Sequence, residues 1–255
     1  MLFTRLFYIF AYMYRELTET EFSDIAGRII YEDNHLLVFN KKVGEIVQGD
    51  KTGDEPLSET LKAFIAARDS KPGQVFMGVP HRLDRPVSGI AVFAKTSKAL
   101  ERLSAMFRDG LVHKTYWALC CKAPSAPTAE LDDYLLRNEK QNKSYIVKPR
   151  PDGFLPKEAK LAKLIYTHIG DTERYHLLEV QLLTGRHHQI RCQLSGIGCP
   201  IKGDLKYGAP RSNPDGGICL HAHEIRLVHP VKKEEMDLTA PVPSSWKGME
   251  KFENQ

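Results

Sequence analysis

The sequence predicts an α+β fold built on a mixed β-sheet. Two features lead there: short runs rich in branched and aromatic residues, bounded by turn residues, and the way these runs are joined, in some places by hairpins and in others by single helices. The composition agrees, with 42% hydrophobic and 27% charged residues among 255, enough to bury a full core in one large domain or two small ones.

Taken in order, "RIIYEDNHLLVFNKK" reads as two strands around an Asp-Asn turn. Leu57, Leu61, Phe64, Ile65 and Arg68 then recur at helical spacing behind Asp54 and Pro56, a start signal. "GIAVFAK" is a buried strand, followed by a helix that Ser97 would cap, with Leu100, Leu103 and Phe107 inside and Gly110 ending it. "KTYWALCC" is a further strand. Residues 123–156 mix Pro, Asp, Asn and Lys and read as loops with short pieces of structure, a mobile flap. "RYHLLEVQLL" alternates as a long strand, and "TGRHHQIRCQLSGIG" carries Ile190, Leu194 and Ile197 at helical spacing with Thr184 placed to cap it. "GICLHAHEIRLVHP" closes the pattern as one strand or two, and the segment beyond Pro241 is expected to be peripheral.

The net charge is +4, but its distribution says more. Residues 82–122 hold eight Lys/Arg against three Asp/Glu, and residues 184–211 five against one. Local excess of this kind suits a polyanionic partner as well as a merely solvated face. Five cysteines, an odd number without a CxxC pair, argue for a reducing compartment. The opening "MLFTRLFYIFAYMY" is apolar but too short to span a bilayer and lacks a small-residue cleavage site, so it reads as a disordered extension with Met13 an alternative start. A weak amphipathic anchor is the lesser reading.

The segment "HRLDRPVSG" sets one carboxylate, Asp84, between Arg82 and Arg85. A surface ion pair is the bland explanation, and such pairs contribute only about 0 to 1 kcal/mol. A carboxylate held among arginines for chemistry is the sharper one. Three further stretches combine functional residue types: "HKTYWAL", "LLTGRHHQIRCQL" and "CLHAHEIRLVHP".

With the HRLD loop, the TGR-x-HQIR segment and the turn "GDLKYG" at residues 203–208, the chain resembles the RluA-type family of RNA pseudouridine synthases from about Asn34 to Pro243. The resemblance implies a bent mixed or antiparallel sheet, and isomerisation of uridine in RNA by breaking the N1–C1′ bond and rejoining the base through C5. It implies Asp84 as the catalytic aspartate, Tyr116 as the tyrosine that stacks on the base, and Arg191 as the arginine paired with the aspartate. Arg82 would enter the RNA stack as the uridine leaves it, and Leu220 would pack beneath the base. His81, Arg85, Arg186 and His188, in the same motifs, are expected among the RNA- or base-contacting residues. The organisation expected is an N-terminal extension over residues 1–24, a catalytic domain over 25–245 and a tail over 246–255.

General chemistry is consistent with these roles. A stacked uridine must be flipped out, at a cost of about a few kcal/mol, and a guanidinium filling the gap would offset part of it. An aromatic face gains about 1 to 3 kcal/mol per stacked base. No metal or organic cofactor is expected, because the reaction neither oxidises nor hydrolyses anything. Singly, Asp84 would more often be a structural ion pair, Tyr116 a core residue of a strand and Arg191 a solvated helix residue; their occurrence together in two specific motifs reverses that weighting. His187, His188, His221, His223 and His229 could suggest zinc, but no Cys or carboxylate completes a spaced set, and no metal site is expected. His187 stands where the family usually has threonine, which bears on contacts at the helix start, and Ser88 replaces threonine while keeping a hydroxyl.

The rival reading is a catalytically silent RNA-binding or ribosome-assembly protein on the same scaffold, which would not need an aspartate at position 84. Glycoside hydrolysis generally needs two carboxylates across the bond, and one candidate is seen. About 30 residues precede the first family strand, too few for the separate S4-type RNA-binding module of many relatives. The partner expected is therefore rRNA or tRNA read by the domain itself, through shape and flippable loops, by a monomer in the cytoplasm without membrane association.

Overall fold

The computed structural model describes residues 14–50, 52–71, 73–249 and 252. Among these, ten strands form one sheet in the order β1-β2-β3-β9-β4-β8-β7-β5-β6, with β10 paired to β9. The strands are β1 (Ile29–Glu32), β2 (Leu36–Lys41), β3 (Ser88–Ala94), β4 (His113–Cys120), β5 (Thr128–Asn138), β6 (Lys143–Val147), β7 (Lys160–Asp171), β8 (His176–Leu182), β9 (Leu220–Val228) and β10 (Glu235–Thr239). Every pairing is antiparallel except β3 with β9, a two-residue parallel contact of Ser88 and Gly89 with His221 and Ala222. The sheet is thus mixed, and the fold is α+β as predicted.

Among the described residues four α-helices accompany it: α1 (Glu19–Gly27), α2 (Leu57–Arg68), α3 (Ser97–Arg108) and α4 (Gln189–Gly196). The core lies under the central strands, where Leu36 to Phe39 of β2 and Ala91 to Ala94 of β3 are fully buried. These runs are continuously apolar because both faces of the sheet are covered there. Leu57, Leu61, Phe64 and Ile65 of α2 and Leu103 of α3 pack into the same cluster, at the spacing read from the sequence. The cap of α3 is Thr96, whose side chain accepts from the Ala99 N–H, one residue earlier than the expected Ser97.

Three expectations need correction. Residues 123–156 are not a flap: β5 and β6 form a long hairpin there, paired in turn to the 12-residue β7, and the alternation of half-buried Ala129 and Leu131 with exposed Thr128, Glu130 and Asp132 was diluted by the charges on its solvent face. The extension expected over 1–24 does not fit its last residues, since α1 begins at Glu19 behind a Thr18/Glu21 capping box and buries Ile25. Residues 1–13, including the alternative start, lie outside the described residues. The segment beyond Pro241 is not peripheral, because Trp246 and Met249 are buried in the main cluster.

Candidate active site

The loop carrying Asp84 runs into β3, and its backbone is pinned from several sides. Lys41, fully buried at the end of β2, donates to the carbonyls of Val87 (2.6 Å), Lys42 (2.9 Å) and Arg85 (3.3 Å). Burial lowers the pKa of this ammonium to about 8, against the opposing pull of Glu45 and Asp84, so it is mostly charged at neutral pH. The Gly44 N–H also reaches the Arg85 carbonyl, and Val87 N–H closes a turn on the Asp84 carbonyl. Where the loop enters β3, Gly89 has φ of +108°, and a Cβ there would stand 2.3 Å from the Ala222 carbonyl oxygen. Only glycine permits both the left-handed backbone and the approach to β9.

With its backbone satisfied, Asp84 presents a side chain that is 37% exposed. Its neighbours in sequence are not its partners. Arg85 turns away to Asp54 (2.5 Å) and Thr52 (2.8 Å), and Arg82 is exposed. The cation beside Asp84 comes from α4: Arg191 Nη1 lies 3.3 Å from Asp84 Oδ2. That guanidinium is buried and tied more tightly elsewhere, its Nε 2.6 Å and Nη2 2.9 Å from the two carboxylate oxygens of Asp204. Burial opposes the Arg191 charge, but the bond to Asp204 and the charges of Asp204 and Asp84 outweigh it and raise its pKa. Arg191 also sits over the Tyr207 ring at 5.1 Å.

The turn that supplies Asp204 starts at Gly203, with φ of +88° and a would-be Cβ 2.6 Å from the Gly217 carbonyl. Tyr207 completes the support. Its hydroxyl accepts from the Ser144 N–H at 2.8 Å and lies 3.1 Å from His188 Nδ1. His188 Nε2 in turn stands 3.4 Å from Asp84 Oδ2. Burial, and then the Arg191 charge, push the His188 pKa down to about 2, so the ring is neutral and contributes no cation.

The start of α4 differs from expectation. Thr184 does not cap the helix; its hydroxyl donates to the Gln189 side chain, which also accepts from the Arg186 N–H and donates to the Lys163 carbonyl. His188 precedes the helix in the left-handed region, at φ of 52°. His187, at the position usually held by threonine, bonds Ser144 and Asn142 and stacks on His188 at 3.8 Å, fastening the β5–β6 hairpin to the helix start.

Tyr116 on β4 pairs with Ala222 of β9 and Val180 of β8, and Ala118 pairs with Leu220. Alternation along the strands places Tyr116 and Leu220 on one sheet face. Both are buried. Burial, and then the Asp84 charge, raise the Tyr116 pKa, which keeps its hydroxyl protonated. The opposite face carries Trp117 stacked on His223 at 3.9 Å, with His221 and His223 both directed to the Ala240 carbonyl. These histidines hold strands together.

His81, expected at the RNA, is used inward. Its Nε2 accepts from the Val92 N–H at 2.9 Å, its ring stacks on Phe107 at 4.3 Å, and burial lowers its pKa to about 3. Arg186 is exposed and donates to the Leu161 carbonyl. Sequence reading missed Asp204 and Lys41 as site residues. The "GDLKYG" motif contained the first, whereas a lysine ending an apolar strand gave no signal of its own.

The site thus presents a partly exposed carboxylate on a fixed loop, with one arginine at its back that is itself held by a second carboxylate. The family model described as "RNA pseudouridylate synthase" matches residues 35–196. Ribosomal large subunit pseudouridine synthase C of Vibrio parahaemolyticus is 34% identical over 235 residues, covering 87% of this chain and 68% of that protein. The tRNA pseudouridine synthase C of Vibrio cholerae is 31% identical, covering 87% of this chain and 93% of its own length. Among solved structures, human RNA pseudouridylate synthase domain containing 4 superposes with a TM-score of 0.74 at 25% identity, over 89% of this chain and 93% of that one. The chain belongs to the RNA pseudouridylate synthase family, and it is an enzyme that isomerises uridine in RNA to pseudouridine.

Proposed function

We propose that the substrate is a uridine in a structured rRNA or tRNA, and that Asp84 is the group that acts on it. The observation that carries this is the division of labour around Arg191: two short bonds to Asp204 and one longer contact to Asp84 leave the Asp84 carboxylate oriented beside a cation and open on its outer side. A carboxylate so held can attack the sugar or base, or stabilise the cation formed as the N1–C1′ bond breaks. The detached uracil must then turn so that C5 meets C1′, and the C5 proton leaves.

Tyr116 and Leu220, on one sheet face, offer a flat ring and an apolar floor for the flipped base. Arg82, exposed beside Asp84, fills the gap in the RNA stack. Arg186 contributes charge at the rim, while His188 orients the Asp84 carboxylate as a neutral ring. Arg85 and His81 act through the loop and not on the RNA. The similar proteins named for the ribosomal large subunit and for tRNA support both RNA classes as substrates. Among the described residues no helix is long and apolar enough to cross a membrane, and we assign the enzyme to the cytoplasm as a monomer.

The test is to incubate the protein with unmodified rRNA and tRNA transcripts and map pseudouridine by carbodiimide modification and primer extension. New stops with the wild type and none with Asp84→Asn are the expected result. No stops on either RNA, with RNA binding retained by both proteins, would favour the silent binder.

A further inference from the structure

The hairpin joining β7 to β8 gathers three side chains that the catalytic cleft does not use. His168 Nε2 lies 2.8 Å and His176 Nδ1 2.6 Å from the same atom, Asp171 Oδ1. The candidate ligand atoms of all three residues lie within 4.8 Å of one another.

A backbone irregularity produces this convergence. Residues three apart on a regular strand point to opposite faces, so His168 and Asp171 should be separated by the sheet. The pairing of β7 with β8 shifts register between His168 and Gly170, a bulge that restores His168 and Asp171 to one side. His176 is the cross-strand partner of Asp171, on that same side. The Gly170 carbonyl, 3.1 Å from His168 Nε2, adds another oxygen at the focus.

Two imidazole nitrogens and a carboxylate suit borderline ions of the zinc, cobalt and nickel type, not magnesium or calcium. We propose that His168, Asp171 and His176 bind one zinc-class divalent cation, with a fourth position left for water or the Gly170 carbonyl. Tetrahedral zinc with bonds of about 2.0 to 2.1 Å holds its ligand atoms about 3.3 Å apart. The observed 2.6 and 2.8 Å separations must therefore open by about 0.7 and 0.5 Å, within reach of an Asp171 side chain that is 57% exposed. Each ring must also present a lone pair inward and carry its proton on the other nitrogen, an ordinary tautomer of neutral imidazole.

The ion serves structure. His176 is four residues from Val180, the β8 partner of Tyr116, about 13 Å along the strand. Phe252 rests on the hairpin, its ring 2.2 Å from where a Gly170 Cβ would stand. A cation at this point ties the ends of β7 and β8 together under the C-terminal turn.

The untagged full-length chain, stripped with chelator, would be titrated by calorimetry with zinc chloride and followed by absorption with cobalt chloride. One equivalent is expected to bind, with visible cobalt bands and a raised melting temperature on zinc addition. His176→Gln should weaken affinity by at least about 100-fold, and Asp171→Asn, an exposed change that keeps the fold, should do the same. Wild type and Asp171→Asn binding equally, or no equivalent binding to the wild type, would overturn the proposal and leave the cluster a hydrogen-bonded clasp.

Discussion

Replacing Asp204 with Asn should disable the enzyme without touching the substrate. Asp204 and Arg191 are a buried pair, their side chains 1% and 6% exposed, joined by bonds of 2.6 and 2.9 Å. Asparagine keeps one acceptor but turns an NH2 group toward the second arginine N–H, so one charge-assisted bond is lost, worth about 1.5 to 3 kcal/mol. The guanidinium remains buried and must find its counter-charge elsewhere. Asp84, already 3.3 Å from Nη1, is the carboxylate in contact. Arg191 should swing to it and occupy the oxygens that the reaction needs. If freeing Asp84 again costs about 2 to 3 kcal/mol, the single-turnover rate falls about 30- to 150-fold. Stability should fall too, by about 3 kcal/mol, the lower end for removing one partner of a buried pair. The rate is read as tritium released from RNA labelled at uridine C5, since the C5 hydrogen leaves when carbon replaces it. RNA affinity should stay unchanged. A folded Asp204→Asn protein turning over within about twofold of the wild type would refute the reasoning.

Other outcomes follow from the same geometry. Gly89→Ala should lower stability in urea titration by at least about 3 kcal/mol, because it adds both backbone strain and a clash with Ala222. His81→Ala should lower stability by about 1 to 3 kcal/mol through the orphaned Val92 N–H while leaving RNA affinity intact. Arg82→Ala should do the reverse, shifting stability by no more than about 0.5 kcal/mol and weakening RNA binding with a shallower salt dependence in filter binding. His188 and His221 are buried neutral, with pKa values lowered by burial to about 2 and about 4. Between those values and the ordinary 6.5 the unfolded chain binds the extra protons. Stability is therefore complete above pH 6.5 and is lost as pH falls below it, at up to about 1.4 kcal/mol per histidine per pH unit. Urea midpoints from pH 7.5 to 4.5 check this, and a flat profile would contradict it.

The central strands and α2, α3 and α4 were legible because their apolar residues keep strand or helix period without interruption. Strands β5 to β7 were not, since one sheet face there is solvated and its Asp, Lys and Asn residues imitate loop composition. Asp84 and Arg191 stood out through their motifs, and the structure brings them together. What the motifs did not reveal is direction. Arg85 and His81 lie in the same loop as Asp84, yet one turns to Asp54 and the other into the core. The loop also depends on Lys41, forty-three residues before Asp84, through carbonyl contacts that leave no local pattern. The histidines at 168 and 176 escaped notice because a bulge, invisible in spacing, brings them to Asp171.

The account rests on Asp84 as the acting group, and the most direct measurement is single-turnover tritium release by Asp84→Asn against wild type on the same labelled RNA, with affinity measured in parallel. The substitution is nearly isosteric at a partly exposed side chain, so the fold and RNA binding should persist. The account predicts wild-type affinity and no release above background. Release by Asp84→Asn at a rate near that of the wild type would contradict it.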